Sequence, residues 1–147
     1  MGKVRNILQV KGHAVYSINP DNTVFEALQQ LVDHNVGALT VVDNNDHFMG
    51  IFSERDYARR VILKGRASKE TLIREIMTER PITVSEDDSI EDCMGLMTDK
   101  RIRHLPVVDP QNRLIGLISI GDVVKFIIDD QQHIITSLEG YIKGTHV

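Results

Sequence analysis

Hydrophobic positions along the chain follow two rhythms that alternate and then recur. Val24, Ala27, Leu28, Leu31 and Val32 repeat at helical spacing, as do Ile90, Cys93, Met94 and Met97, so each set marks the buried face of a helix. Between and after them lie short apolar, β-branched runs, "ALTVVD" at 38–43 and "HLPVVD" at 104–109, which read as buried strands. Turn residues follow each run ("NND" and "PQN"), and then "HFMGIF" and "RLIGLI" close a hairpin. Shorter apolar segments at 15–18 and 82–84 supply a first strand to each unit. Thr23 and Ser89 open the helices. Glu26 and Asp92 stand three positions on, which predicts a capping box at both starts.

The rhythm is an internal repeat. Residues 17–61 lie over 83–127 without a gap, and nine of the 45 positions are identical. Average composition would give about three. Identities include Asp43/Asp109, Gly50/Gly116, Ser53/Ser119 and Asp56/Asp122. Conservative exchanges such as Val24/Ile90, Leu28/Met94, Val36/Ile102 and Ile51/Leu117 run through the rest. The expected fold class is α+β: two tandem β-α-β-β-α repeats packed sheet on sheet about a pseudo-two-fold axis. The first repeat, with the N-terminal segment, takes 1–66. The range 67–147 holds a connecting helix over 68–77, the second repeat and a long C-terminal helix from about 121 to 142. That helix is longer than one small half needs, and its tail suits packing on a partner chain.

Composition narrows the function. The chain has 147 residues, 41% hydrophobic and 26% charged, with a net charge of −4. No stretch of about 18 apolar residues predicts a membrane span, and "MGKVRNILQVKG" has no apolar signal region, so a cytoplasmic location is expected. The acidic balance and the 5% of aromatic residues argue against a nucleic-acid coat. The single Cys93 rules out an intramolecular disulfide and reads as core, since it matches Ala27. The histidines show no metal-ligand spacing. His13, His34, His47, His133 and His146 read as surface residues, and no metal site is expected. No Ser–His–Asp order or phosphate-loop motif points to an enzyme.

The feature that carries chemistry is G-x-x-S-x-x-D, present as "GIFSERD" at 50–56 and "GLISIGD" at 116–122. Ser-x-x-Asp is itself a helix cap. A helix start also offers free N–H groups and partial positive charge to a phosphate. Its serine adds a hydrogen bond, and an aspartate three residues on accepts from a vicinal ribose diol. Lys100 and Arg101 read as a solvated helix end.

These residues resemble a tandem pair of CBS domains, the Bateman module named after cystathionine β-synthase, from about residue 5 to 128. The marks are the gapless repeat, "LPVVD", and G-x-x-S-x-x-D in both halves. "SERDYARRVILKGRASKETLIREIMT" and "RIRHLPVVD…LIGLISIGDVVK" further resemble stand-alone bacterial CBS-pair proteins and their organellar plant relatives. The resemblance implies a non-catalytic regulatory sensor with no catalytic cofactor. Its ligand would be an adenine nucleotide (AMP, ADP, ATP or NAD(H)) bound in clefts between the repeats, and it would form a homodimer and signal to an effector protein in trans. It implies one site built from Ser53, Asp56, Ile82, Thr83, Ile102, Arg103 and His104. A second would use Ser119, Asp122, Ser17, Ile18, Val36, Gly37 and Ala38, with Arg55 leaning across to supply the charge that Gly37 and Ala38 lack. The Arg103/His104 site is the better phosphate site. Alternatives are a structural dimerisation module with empty clefts, or a binder of S-adenosylmethionine or nucleic acid.

Overall fold

The computed structural model describes residues 2–142. His146 lies outside them. Helix α1 (Val4–Lys11) comes first and is not among the elements the sequence predicts. The first repeat follows as β1 (Ser17–Ile18), α2 (Val24–His34), β2 (Ala38–Val42), β3 (Phe48–Ser53) and α3 (Glu54–Arg60). A single turn, α4 (Ile73–Ile76), and a short strand, β4 (Thr78–Glu79), lead into the second repeat. That repeat holds α5 (Ile90–Lys100), β5 (His104–Val108), β6 (Leu114–Ser119) and α6 (Ile120–Ile142).

The repeat is geometric as well as sequential. Ala38 pairs with Ser53 and His104 with Ser119, and the register slips at Val41/Val42 and again at Val107/Val108. Asn35 and Arg101 end α2 and α5 in the left-handed conformation, and Asp46 and Asn112 adopt it in the two hairpin turns. Thr23 and Glu26 form the expected reciprocal cap. At Ser89 only half of it forms, the Asp92 N–H donating to the Ser89 hydroxyl.

Two expectations need correction. Residues 68–72 are not helical. Thr23 and Leu72 form an antiparallel bridge, and the Thr71 carbonyl accepts the Val24 N–H, so the backbone there is spent on capping α2. The first strand of the second repeat shrinks to one bridge, Val84 to Val107. The reason is Pro106. In the first repeat the Thr40 N–H donates to the Tyr16 carbonyl at 3.2 Å. Pro106 stands in Thr40's place and has no N–H to give Ile82.

Among the described residues there are two cores. Ile18, Val24, Ala27, Leu31, Leu39, Val41, Phe52 and Val61 form one, joined by Ile73, Ile76 and Met77 from the connecting segment. Val84, Ile90, Cys93, Met97, Leu105, Val107, Ile118 and Val123 form the other, joined by Val4, Ile7 and Leu8 of α1. The segment before each repeat thus packs on the other repeat, and the N-terminal segment that chain order groups with 1–66 lies in the second core. The motif glycines make room for these crossings. A Cβ on Gly50 would overlap the Thr78 carbonyl oxygen, and one on Gly116 would lie 2.8 Å from Leu8 Cδ2.

Candidate functional site

The first Ser-x-x-Asp sits where β3 turns into α3. The Ser53 hydroxyl accepts from the Asp56 N–H at 3.3 Å and donates to Asp56 Oδ2 at 3.1 Å, while the Ser53 N–H donates to the same oxygen at 2.9 Å. Asp56 is almost fully buried, and its Oδ1 accepts from the Thr78 hydroxyl at 2.9 Å. The pair is therefore a helix cap, and every partner of the carboxylate in that cap is a neutral N–H or O–H. Arg60 adds a distant ion pair at 4.0 Å, but its Nη1 is committed to the Ile76 and Met77 carbonyls at 3.1 and 2.9 Å.

A cavity of about 490 Å3 opens beside this cap, between the repeats. Ser53, Asp56, Ile82, Ile102, Arg103 and His104 line it, as expected for the first site. Its size falls in the range that holds small ligands, about 300–1,000 Å3. Thr83 does not line it. Side chains alternate along an extended segment, so Thr83 faces a smaller cavity of about 200 Å3 with Phe48, Met49 and Asn112.

The wall is more basic than the sequence suggests. Arg55, Arg59, Arg60, Arg80, Lys100 and Arg103 face two carboxylates, Glu54 and Asp56. Among the described residues, no carboxylate pairs with Arg55, Arg59, Arg80, Lys100 or Arg103. Helix α3 has only seven residues, so these side chains rather than its end supply the positive field. Lys100 is exposed, as expected of a solvated helix end, and also lines this wall. Arg59 and Arg60 were legible in principle, one helical turn beyond Arg55.

Arg55 reverses an expectation. It lines the first cavity, and its Nη1 donates to the Arg101 carbonyl at the C-cap of α5, where a cation is favoured by the helix's unpaired carbonyls. Gly37 also lines the first cavity, close against His104, whose Cε1 would lie 3.3 Å from a Cβ built there. Ile18 and Ala38 are core residues, Val36 packs against that core, and the Ser17 hydroxyl is paired with Thr40 Oγ1 at 2.6 Å.

At the second Ser-x-x-Asp the cap repeats. The Ser119 N–H donates to Asp122 Oδ2 at 2.8 Å, and the Asp122 N–H to the Ser119 hydroxyl at 3.1 Å. The surroundings differ. Lys11 Nζ lies 2.6 Å from Asp122 Oδ2. Burial alone would raise the Asp122 carboxyl, but hydrogen bonds from Lys11 and Ser119 and the Lys11 charge outweigh it and hold it low. Neither cavity is lined by Ser119 or Asp122.

His104 stands between the two places. Burial lowers its pKa, the charges of Lys11 and Arg103 lower it further, and Asp122 opposes them. Pro106 affects the first site too. Among the described residues no N–H donates to the Ile82 carbonyl, whereas its counterpart on Tyr16 is used by Thr40.

Among the described residues no group of three His, Cys, Asp or Glu is placed to hold a metal, and no helix is long and apolar enough to cross a membrane.

Comparison with known proteins bears on the family and the fold. The sequence model of the CBS domain matches residues 7–63 and 73–129. The mitochondrial CBS domain-containing protein CBSX3 of Arabidopsis thaliana is 43% identical over 128 residues, 84% of this chain and 62% of that protein. The chain thus spans less than two thirds of that relative's length. A putative signal-transduction protein with CBS domains from Burkholderia ambifaria MC40-6 superposes with a TM-score of 0.82 at 45% identity, covering 88% of this chain and 96% of that one. The crystal structure of CBSX2 in complex with AMP superposes with a TM-score of 0.72 at 27% identity, covering 89% of this chain and 99% of that one.

Proposed function

The chain belongs to the CBS-domain family, and on that premise we propose that it is a non-catalytic sensor of adenine nucleotides. The nucleotide occupies the cavity between the repeats and biases their arrangement, and a partner protein in trans reads the result. The observation that carries this reading is the cavity beside Ser53 and Asp56, with six arginine and lysine side chains on its wall in a chain of net charge −4. In the proposed pose Arg103, His104 and the neighbouring guanidinium groups hold the phosphates. The ribose diol exchanges with the hydroxyl partners of Asp56, and adenine lies against Ile82 and Ile102 with its amino group toward the Ile82 carbonyl. The CBSX2 complex with AMP supports an adenine nucleotide as the ligand class. The number of cations favours ADP, ATP or NAD(H) over AMP, and disfavours the sulfonium of S-adenosylmethionine.

The shift in arrangement is bounded by the ligand's preference between the two states. Calorimetric titration with AMP, ADP, ATP, NAD(H) and S-adenosylmethionine tests the reading. Saturable binding of a phosphorylated nucleotide that is lost in Arg103→Ala supports it. No heat and no thermal shift with any of them removes it.

A second reading, a dimerisation module, draws on one observation. Val124, Ile128, Ile135, Leu138 and Ile142 recur along the exposed side of α6, and only Val123 of that helix is buried. A second copy covering that stripe is compatible with the sensor function and supplies a surface through which a ligand-dependent change is transmitted.

A further inference from the structure

The two Ser-x-x-Asp caps keep different company. The cap around Asp56 is built from neutral groups, and a hydroxyl exchanges partners without leaving a charge behind. Asp122 instead holds an ammonium. Lys11 Nζ is anchored twice, to Asp122 Oδ2 at 2.6 Å and to the Leu117 carbonyl at 2.7 Å. Lys11 is the last residue of α1, and Val4, Ile7 and Leu8 tie that helix into the second core. Leu8 fills the space that Gly116 leaves empty. His13 Nδ1 lies 2.9 Å from the Ile115 carbonyl oxygen. Residues 11–13 are therefore pinned along β6. The repeat offset of 66 makes Gly12 the counterpart of Thr78, the residue that holds Asp56. At the first cap that partner is a hydroxyl beside an open cavity. At the second it is a cation, in a place that neither cavity reaches.

We infer that Lys11 is a built-in occupant of the second cleft, so that each chain takes up one nucleotide, at Ser53–Asp56, and not two. This rests on the nucleotide reading above. A ribose diol reaching Asp122 must displace an ammonium from a carboxylate and offer hydroxyl donors in return, which exchanges a charge-assisted hydrogen bond for weaker ones. The pair is partly open to water, the Lys11 and Asp122 side chains being 36% and 25% exposed, and what keeps the ammonium in place is its second bond, to the Leu117 carbonyl, and the anchoring of α1 in the second core. The chain's own N-terminal helix thus sets the stoichiometry that the near-symmetry of the repeats would otherwise double.

The test is calorimetric stoichiometry with ADP. Lys11→Met keeps the apolar stem and removes the charge. Wild type is expected to bind one equivalent and Lys11→Met two. Asp56→Asn in the Lys11→Met background is expected to remove the original event and leave the new one. Two equivalents in wild type, or one in Lys11→Met, overturns the inference. Failure of ADP, ATP and NAD(H) alike to bind either protein overturns the nucleotide reading instead. A second measurement then judges the latch by itself. Acetylation mapped by mass spectrometry is expected to be slower at Lys11 in wild type than in Asp122→Asn, and equal rates overturn the ion pair.

Discussion

The two motif glycines provide a controlled comparison, because they are equivalent in sequence and differ in what they touch. Replacing Gly50 by alanine drives a Cβ into backbone. It would overlap the Thr78 carbonyl oxygen, lie 3.2 Å from the Thr78 carbonyl carbon and 3.5 Å from Glu79 Cα. Relief needs β4 to move by about 1 Å to reach ordinary contact distance. That movement strains both β3–β4 pairs, Gly50 with Glu79 and Ile51 with Thr78. At about 0.5 kcal/mol for each weakened but unbroken hydrogen bond and about 2 kcal/mol for overpacking, the loss is about 3 kcal/mol. Replacing Gly116 meets only the tip of a side chain, Leu8 Cδ2 at 2.8 Å and Cδ1 at 3.3 Å. Leu8 relieves it by leaving its best rotamer, at about 1 kcal/mol. For a chain of this size each kcal/mol moves the melting temperature by roughly 3 °C. Circular dichroism is therefore expected to show Gly50→Ala melting about 10 °C below wild type and Gly116→Ala about 3 °C below. Gly50→Ala also pulls Thr78 away from Asp56, so its nucleotide affinity falls as well. Equal losses in the two variants, or a larger one at Gly116, would refute the argument that the contacted backbone decides the cost.

Two further outcomes follow from groups with displaced acidities. His104 is held below its ordinary value of about 6.5 by burial and by Lys11 and Arg103, so below that pH the unfolded chain binds a proton that the native imidazole resists. Stability from this residue is thus present above the unfolded value and lost as pH falls through the folded one. A bound phosphate opposes the shift, so nucleotide binding near pH 6 should take up protons. Calorimetry in two buffers of different ionisation enthalpy reads this directly, His104→Gln should abolish it, and proton release would contradict it. The Cys93 thiol is pushed up to about 11 by burial, with help from the charges of Asp88 and Asp92. Ellman's reagent at neutral pH should find it unreactive in the native protein and fully reactive in urea, and a fast native phase would show that the second core is open.

Much of this molecule is legible from its residues because the signals involved are local. Thr23 with Glu26, and Ser53 with Asp56, close their caps within a single helical turn. The strand pairs of both hairpins follow from short apolar, β-branched runs and turn chemistry over about fifteen residues. Pro106 was readable too, since a missing N–H follows from the residue type. Helix α1 shows the limit. Its Val4, Ile7 and Leu8 have helical spacing, but nothing in eight residues says which core receives them. Arg55 shows another. Its charge is plain, yet its destination depends on Arg101, which is 46 positions away.

The residues expected around the first Ser-x-x-Asp came from the family resemblance, whereas the repeat, its α+β order and the paired helix caps could be read from the residues directly. These depend on covalent geometry and on contacts a few positions apart, which one strand or one helical turn already specifies. A charge difference between the halves was also legible, in Arg103 and His104 against Gly37 and Ala38, but only the tertiary structure decided what surrounds each cap. Arg59, Arg80 and Lys100 gather on one wall, and Lys11 reaches an aspartate 111 positions away. Charges and cavities belong to the space between elements, which no single element specifies. The crossing of each connecting segment onto the opposite repeat places a hydroxyl at Asp56 and an ammonium at Asp122.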